Sequence, residues 1–123
     1  MIIADTDVLI DFLAGKGAAD AVDLLLQRES LRTTVITRFE LLSGARNAKQ
    51  LSRLTQLLAA VPSFELDDDA ADAASDIRKS PERAGNAIGM ADSLIAGIVI
   101  SNGGILLTRN RRHFDRIPGL KLA

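Results

Sequence analysis

Acidic side chains border apolar segments at three separate places in the 123-residue chain. Asp5 directly follows the apolar residues 1–4, Glu40 lies between apolar neighbours, and Asp92 opens the largely apolar stretch 92–97. A carboxylate next to apolar side chains is costly to bury unless a cation compensates its charge. The three acids therefore predict a divalent metal site, and such a site favours hydrolytic chemistry.

Each of these residues also has a simpler structural explanation, and the sequence alone leaves both open. Asp5 could cap the helix that follows it, and Glu40 could form a reciprocal capping box with Thr37. Asp92 lies early in a predicted helix, where the helix dipole tolerates negative charge, yet its apolar surroundings still call for a partner. Asn110 follows a second apolar run and could be an ordinary turn residue. For Glu40 taken alone, helix capping is the preferred explanation. For Asp92, metal ligation is preferred.

Further polar residues lie near these candidates in the sequence. Asp7 is close enough to Asp5 to act as a water-mediated ligand, whereas Asp11 is predicted to face solvent. His113 is predicted to pack or to cap, and a role as general base stays open. Asp115, five residues after Asn110, is a reserve metal ligand.

Composition and charge narrow the chemistry further. The net charge is −1, but arginines at 109, 111, 112 and 116 form a local basic segment that can hold nucleic acid. The chain has no Cys and one His, which excludes disulfides, thiolate zinc sites and multi-histidine sites. The remaining oxygen ligands favour Mg²⁺, with Mn²⁺ as the alternative. Without Trp or Tyr, a surface that stacks single-stranded bases is disfavoured.

The apolar segments also bear on location. Asp5 and Asp7 interrupt the amino-terminal apolar run, so we expect no signal peptide. The longest apolar stretch, around residues 94–100, is too short to cross a bilayer. We therefore expect a cytoplasmic protein that has no membrane partner.

Short apolar runs alternate along the chain with segments of helical spacing. This alternation predicts an α/β fold with a mainly parallel central sheet of four to five short strands flanked by helices, in a single domain, 1–123. The predicted strands are 2–4, 31–36, 63–66, 105–108 and 120–122. The predicted helices are 6–13, 18–28, 37–45, 48–60, 67–79 and 88–101, with a polar loop at 80–86.

The predicted strands would bring the candidate residues together. In parallel sheets, sites lie beyond the carboxyl ends of the strands. Asp5 and Asn110 each follow a strand, and we expect the strand at 105–107 to lie beside the strand at 2–4. The two side chains should therefore lie close to each other.

Four segments of the sequence together form a family pattern. They are 5–10 with Asp5, 37–44 with Glu40, 92–96 with Asp92, and 108–114 with Asn110. In their order and spacing the chain resembles the PIN-domain ribonucleases, specifically the VapC-type toxins of toxin–antitoxin pairs. The resemblance runs from end to end of the chain.

The resemblance implies a PIN-like three-layer domain and a Mg²⁺-dependent endoribonuclease that cuts RNA with a metal-activated water. It implies that Asp5, Glu40 and Asp92 hold the metal. It places Asn110 at a fourth catalytic position, where the family often has Asp. Because an amide is neutral, we expect one tightly held metal, with a second arriving only with the RNA phosphate.

The resemblance also implies partners. It points to a homodimer and to inhibition by a small cognate antitoxin, with an antitoxin arginine reaching the acids. Leucine and valine are abundant on the predicted helices after Gly15 and after Ala48. Such apolar surface suits an amphipathic antitoxin helix laid in a groove.

Other functions stay open at this point. A catalytically weak PIN-like module could bind RNA or protein without cutting, which the neutral Asn110 favours and which metal-dependent cleavage would exclude. A HAD-like phosphatase could use Asp5 as a nucleophile, because Asp5-Thr6-Asp7 is similar to the opening motif of that family. A covalent aspartyl-phosphate would identify the phosphatase. A receiver-type phosphoacceptor fits less well, since the required acidic pair is missing.

Overall fold

A five-stranded parallel sheet forms the centre of the computed structural model, which describes residues 1–80 and 88–123. In chain order its strands are β1 (Ile2–Ala4), β2 (Leu31–Thr34), β3 (Ser63–Phe64), β4 (Ile105–Leu107) and β5 (Lys121–Leu122). Their spatial order is β3-β2-β1-β4-β5, and every neighbouring pair is parallel. The predicted α/β fold is confirmed, as is the expected pairing of β1 with β4.

Seven helices in the described ranges surround the sheet. They are α1 (Thr6–Leu13), α2 (Ala19–Gln27), α3 (Val35–Ser43), α4 (Ala48–Ala60), α5 (Asp68–Lys79), α6 (Met90–Ser101) and α7 (Arg111–Phe114). Apart from Ser80, the predicted polar loop lies outside the described residues. None of the helices in these ranges has the length and apolar composition needed to cross a bilayer.

The change from β2 to α3 comes earlier than the sequence predicts, for a clear physical reason. The predicted strand 31–36 ends at Thr34, whose hydroxyl accepts the backbone N–H of Thr37 at 3.1 Å and so caps α3. Thr37 therefore lies inside the first turn, and the predicted capping box between Thr37 and Glu40 is wrong. The run of β-branched residues at 33–37 conceals the change from strand to helix, because both elements accept such residues. The predicted helix from Ile88 begins at Met90, and α7 was not predicted.

Two clusters of buried hydrophobic side chains lie on opposite faces of the sheet. Successive strand residues point to opposite faces, and Ala4 belongs to one cluster while Ile3 belongs to the other. The first cluster includes side chains of α1, α2 and α4, and the second includes side chains of α5, α6 and α7. The sheet therefore lies between two layers of helices, which is the expected three-layer arrangement, and a hydrophobic cluster on each face holds it in place.

Helices α5 and α6 pack closely because Gly97 has no side chain. A Cβ at Gly97 would lie 2.5 Å from the carbonyl oxygen of Ala70 and 2.8 Å from the backbone nitrogen of Ala74. Gly97→Ala should therefore lower the free energy of unfolding by about 2 kcal/mol, since the overlap outweighs the roughly 1 kcal/mol gain in helix propensity. Urea unfolding measures the change.

A matched variant separates the overlap from the effect of the methyl group itself. Gly89 has an ordinary backbone conformation, and a Cβ there meets nothing within 4 Å. Gly89→Ala should change stability by less than about 1 kcal/mol, the usual size of an N-cap effect. Equal losses in the two variants would contradict the packing argument.

Candidate metal centre

Asp5 lies where β1 ends and α1 begins, at the carboxyl edge of the sheet. Its Oδ1 accepts the backbone N–H of Thr6 at 2.7 Å, and its Oδ2 accepts the hydroxyl of Thr108 at 2.8 Å. The residue is only 5% exposed. Asp5 therefore caps α1 and is also a buried carboxylate, whose oxygens keep lone pairs that a cation can use.

The surroundings of Asp5 disfavour its negative charge. Burial raises the pKa of the Asp5 carboxyl, and repulsion from Asp92 and Asp7 raises it further. Hydrogen bonds from Thr108 and Thr6 oppose this shift without cancelling it. Asp92 and Asp7 are thus close enough to act on Asp5 electrostatically, and a divalent cation at this edge would offset both the burial and the repulsion.

Glu40 is connected to this edge through α1. The hydroxyl of Thr6 donates to Oε1 of Glu40 at 2.7 Å and also lies 3.0 Å from the hydroxyl of Thr37. Thr6 therefore joins two of the predicted acids, because its backbone N–H binds Asp5 and its side chain binds Glu40. The Glu40 carboxylate is directed to α1 instead of capping its own helix.

Asp92 lies in the first turn of α6 and contacts a residue that the sequence did not connect with it. Its Oδ2 is 3.2 Å from Nδ1 of His113 on α7. The ring centre of His113 lies 6.4 Å from that of its neighbour Phe114, and the His113 side chain is 59% exposed, so packing is a minor part of its environment. The contact with Asp92 was missed, because a four-residue helix such as α7 has too few turns to show a periodic pattern.

Asn110 reaches the acidic edge but contacts a different acid from the one expected. Its Nδ2 donates to Oδ2 of Asp7 at 2.5 Å, and its backbone N–H donates to the hydroxyl of Thr108 at 3.0 Å. Thr108, which directly follows β4, in turn donates to Asp5. The sequence analysis missed Thr108, although its position after a strand is the same as that of Asp5.

Asp11 does not face solvent, and the prediction that it does is wrong. Its side chain is 6% exposed, and its Oδ1 accepts Nη1 of Arg109 at 2.7 Å. Nη2 of the same arginine lies 3.5 Å from Oδ2 of Asp7. Gly17, with φ of 62°, lets the following loop fold against Asp11, since a Cβ there would lie 2.8 Å from Oδ2. Arg109 thus ties the segment after β4 to α1.

A depression of about 370 Å³ is lined by Arg109, Asn110, Arg111, Arg112 and His113. Nη1 of Arg111 donates to the carbonyl of Ala123 at 2.6 Å, which holds it at the surface. Asp115 is exposed at the end of α7, and none of the contacts found within the described ranges joins its carboxylate to the acids. The reserve role of Asp115 as a ligand therefore has no geometric support.

The polar side chains at this edge contact one another mainly in pairs. Within residues 1–80 and 88–123, no three acidic or histidine side chains are close enough to hold a metal as one group. Mg²⁺ in proteins commonly has one or two carboxylate ligands, with waters and substrate phosphates completing the octahedron. Single carboxylates at this edge are therefore compatible with such an open site, whereas the described residues form no closed cage of protein ligands.

An apolar groove adjoins Glu40. It has a volume of about 420 Å³ and is walled by α1, α3 and α4, with Ile10, Leu13, Ala14, Glu40, Leu41, Gly44, Ala45, Arg46, Gln50, Arg53 and Leu54 as its lining. Of the two helices that the sequence analysis expected to supply apolar surface, α4 lines this groove, and α1 and α3 replace α2. The exposed Leu24 of α2 lies outside it.

Comparison with known proteins agrees with this geometry. The PIN domain family matches residues 2–120. The chain is 31% identical over 123 residues to ribonuclease VapC19 of Mycobacterium tuberculosis, covering 98% of both chains. It is 28% identical to the tRNA(fMet)-specific endonuclease VapC of Shigella flexneri, covering 95% of this chain and 92% of that one.

A solved structure has the same fold. VapBC-1 from nontypeable Haemophilus influenzae superposes with a TM-score of 0.82 at 26% identity, over 100% of this chain and 97% of that chain. The acids at the carboxyl edge of the parallel sheet, the family match and the full-length relatives all agree. The chain belongs to the PIN-domain family, among the VapC ribonucleases.

Proposed function

We propose that this ribonuclease toxin hydrolyses RNA with a divalent cation, Mg²⁺ or Mn²⁺, held at the carboxyl edge of the sheet by Asp5 and Asp92, with Glu40 beside it. The observation that carries the proposal is the buried Asp5 carboxylate, which lies near two further acids. When bound, the cation supplies charge neutralisation on the phosphate and activation of the attacking water.

The side chains of this edge have separate roles. Hydrogen bonds from Thr6 and Thr108 fix the orientation of Asp5 before any cation binds. Oε1 of Glu40 accepts the hydroxyl of Thr6, and in this proposal its Oε2 accepts a hydrogen bond from the attacking water. Asn110 binds Asp7 and so acts as a positioning residue next to the metal.

The proposal includes the partners and the setting of the protein. A cognate antitoxin would place an amphipathic helix in the groove between α1, α3 and α4, whose wall includes Glu40. The similarity to VapBC-1 and the VapC relatives supports such a pair. We further propose that the protein is a homodimer in the cytoplasm and that RNA is its substrate. Arg112 would contact the phosphate backbone of this RNA.

Cleavage of RNA by the purified protein tests the metal requirement. We expect cleavage in Mg²⁺ or Mn²⁺, complete loss in EDTA, and recovery when the cation is added back in excess. Binding of RNA without cleavage under all these conditions would instead favour the non-cutting module. Phosphate transfer from a small phosphate ester to Asp5, seen by mass spectrometry, would favour the phosphatase.

A further inference from the structure

The guanidinium of Arg109 contacts two acids of α1 at the same time. Its Nη1 lies 2.7 Å from Oδ1 of Asp11, and its Nη2 lies 3.5 Å from Oδ2 of Asp7. The two acids are four residues apart on one helix, so they lie on the same face, one turn from each other. A planar guanidinium holds its donors in a fixed fork, and this shape lets a single side chain bridge the two carboxylates.

Asp11 needs this arginine because its carboxylate is buried. The side chain is 6% exposed, and the loop after α1 covers Oδ2, since a Cβ at Gly17 would lie 2.8 Å from that oxygen. A buried carboxylate that loses its cation is left as an uncompensated charge, which is strongly unfavourable. The guanidinium of Arg109 is therefore committed to α1, although the arginine side chain is 52% exposed.

The residues on both sides of Arg109 meet at one oxygen atom. The hydroxyl of Thr108 donates to Oδ2 of Asp5 at 2.8 Å, and the same hydroxyl accepts the backbone N–H of Asn110 at 3.0 Å. Arg109 attaches this turn to α1 through its charged contacts. The position of the hydroxyl on the buried Asp5 therefore depends on where the ion pair holds the turn.

We propose that Arg109 and Asp11 are positioning residues for RNA cleavage, and that their ion pair keeps the hydroxyl of Thr108 on Asp5. The inference rests on the proposed function, because Asp5 is an acid of the proposed cation site. Both residues act through Thr108 and not on the phosphate itself. Their loss therefore lowers turnover, whereas the loss of an arginine that binds the RNA backbone would lower the affinity for RNA.

Kinetics of four proteins test the pair: the wild type, Asp11→Asn, Arg109→Gln and the double variant. Each single substitution should lower kcat on a defined RNA in Mg²⁺ about tenfold and change KM less than about twofold. The double variant should lose no more than either single variant, because the two residues act as one unit. Additive losses would overturn the inference. A raised KM with unchanged kcat in Arg109→Gln would overturn it as well, and would assign Arg109 to RNA binding.

Two further variants separate position from stability and from charge. Arg109→Lys keeps the positive charge beside Asp11, but an ammonium lacks the fork, so kcat should fall about threefold while KM stays unchanged. Gly97→Ala lowers stability away from this segment and should keep kcat within about twofold below its unfolding transition. Wild-type kcat in Arg109→Lys, or equal losses of kcat in Gly97→Ala and Asp11→Asn, would refute the inference.

Amide hydrogen exchange of the metal-free protein tests the position of the turn without an assay of cleavage. The backbone N–H of Asn110, which donates to Thr108, should exchange about tenfold faster in Asp11→Asn than in the wild type. It should exchange at the wild-type rate in Gly97→Ala. An unchanged rate in Asp11→Asn, or the same acceleration in both variants, would show that the ion pair does not hold the turn.

The same experiments separate this inference from the proposed function. If the proposed function is wrong, Asp5→Asn cleaves RNA as well as the wild type does, or neither protein cleaves it. If only the role of the ion pair is wrong, Asp5→Asn is inactive, whereas Asp11→Asn and Arg109→Gln keep the wild-type kcat. The two failures therefore give different patterns of activity.

Discussion

Asp92→Asn should reduce RNA cleavage at least about a thousandfold while leaving the fold intact, because losing a metal ligand removes several kcal/mol of transition-state stabilisation. Asp5→Asn should have the same effect on cleavage. Asparagine has the same shape as aspartate, and Asp92 is partly exposed, so circular dichroism should be unchanged. Initial rates on a defined RNA in Mg²⁺ measure the loss.

A control acid shows that the effect is local. Asp20 is an exposed acid in the first turn of α2, away from the sheet edge. Asp20→Asn removes the same charge and should retain wild-type cleavage within about twofold, since exposed surface changes have small effects. Undiminished cleavage by purified Asp5→Asn or Asp92→Asn would contradict the metal centre.

Asp5→Asn should also stabilise the metal-free protein at neutral pH. The pKa of Asp5 is raised in the folded state, mainly by burial, so its charged form destabilises the fold. For a raised pKa, the favourable contribution is complete below the unfolded value and is lost as pH rises through the folded value. In EDTA, the variant should therefore melt at a higher temperature than the wild type at pH 7, and the gap should close in acid. A lower melting temperature at pH 7 would contradict this reasoning.

Ile10→Asn should leave the ribonuclease toxic but at least about tenfold less sensitive to its antitoxin, because an anchoring apolar side chain contributes about 1.5–3 kcal/mol when buried. Ile10 is 47% exposed on the wall of the groove, so the substitution should not disturb the core. Expression of the wild type alone should arrest growth, and co-expression with the antitoxin should restore it. Growth curves and the affinity of the purified pair measure the two effects.

A comparable exposed residue outside the groove provides the control. Leu66 is 39% exposed in the segment before α5 and does not line the groove. Leu66→Asn should stay fully inhibited by the antitoxin. If both variants escape inhibition equally, the antitoxin contacts a broader surface. If neither escapes, it binds elsewhere.

The sequence was sufficient for the parts of the structure that depend on local pattern. The apolar runs at 2–4 and 105–107 predict two buried strands, and their parallel pairing brings Asp5 close to the segment after β4. Thr34 shows a local limit, since continuous β-branched residues conceal where a strand becomes a helix. Boundaries of this kind depend on a single hydrogen bond.

Contacts between distant segments could not be predicted in the same way. Asp11 has the spacing of an exposed helix residue, and its burial is compensated by an ion pair with the guanidinium of Arg109, 98 residues away. His113 and Asp92 likewise meet because α6 and α7 pack on one core. Tertiary ion pairs of this kind produce no periodic pattern in a single sequence. The sequence alone therefore identifies only some of the residues of the site.

The central place of β1 has a consequence for synthesis on the ribosome. β1 is made first, yet one of its neighbours is β4, and the hydroxyl that holds Asp5 belongs to Thr108, 103 residues later. Contacts this distant in sequence form late, because the intervening chain must be ordered first. A nascent chain that still lacks β4 therefore has no assembled acidic edge, and the ribosome making it is not exposed to a working nuclease before Thr108 has been added.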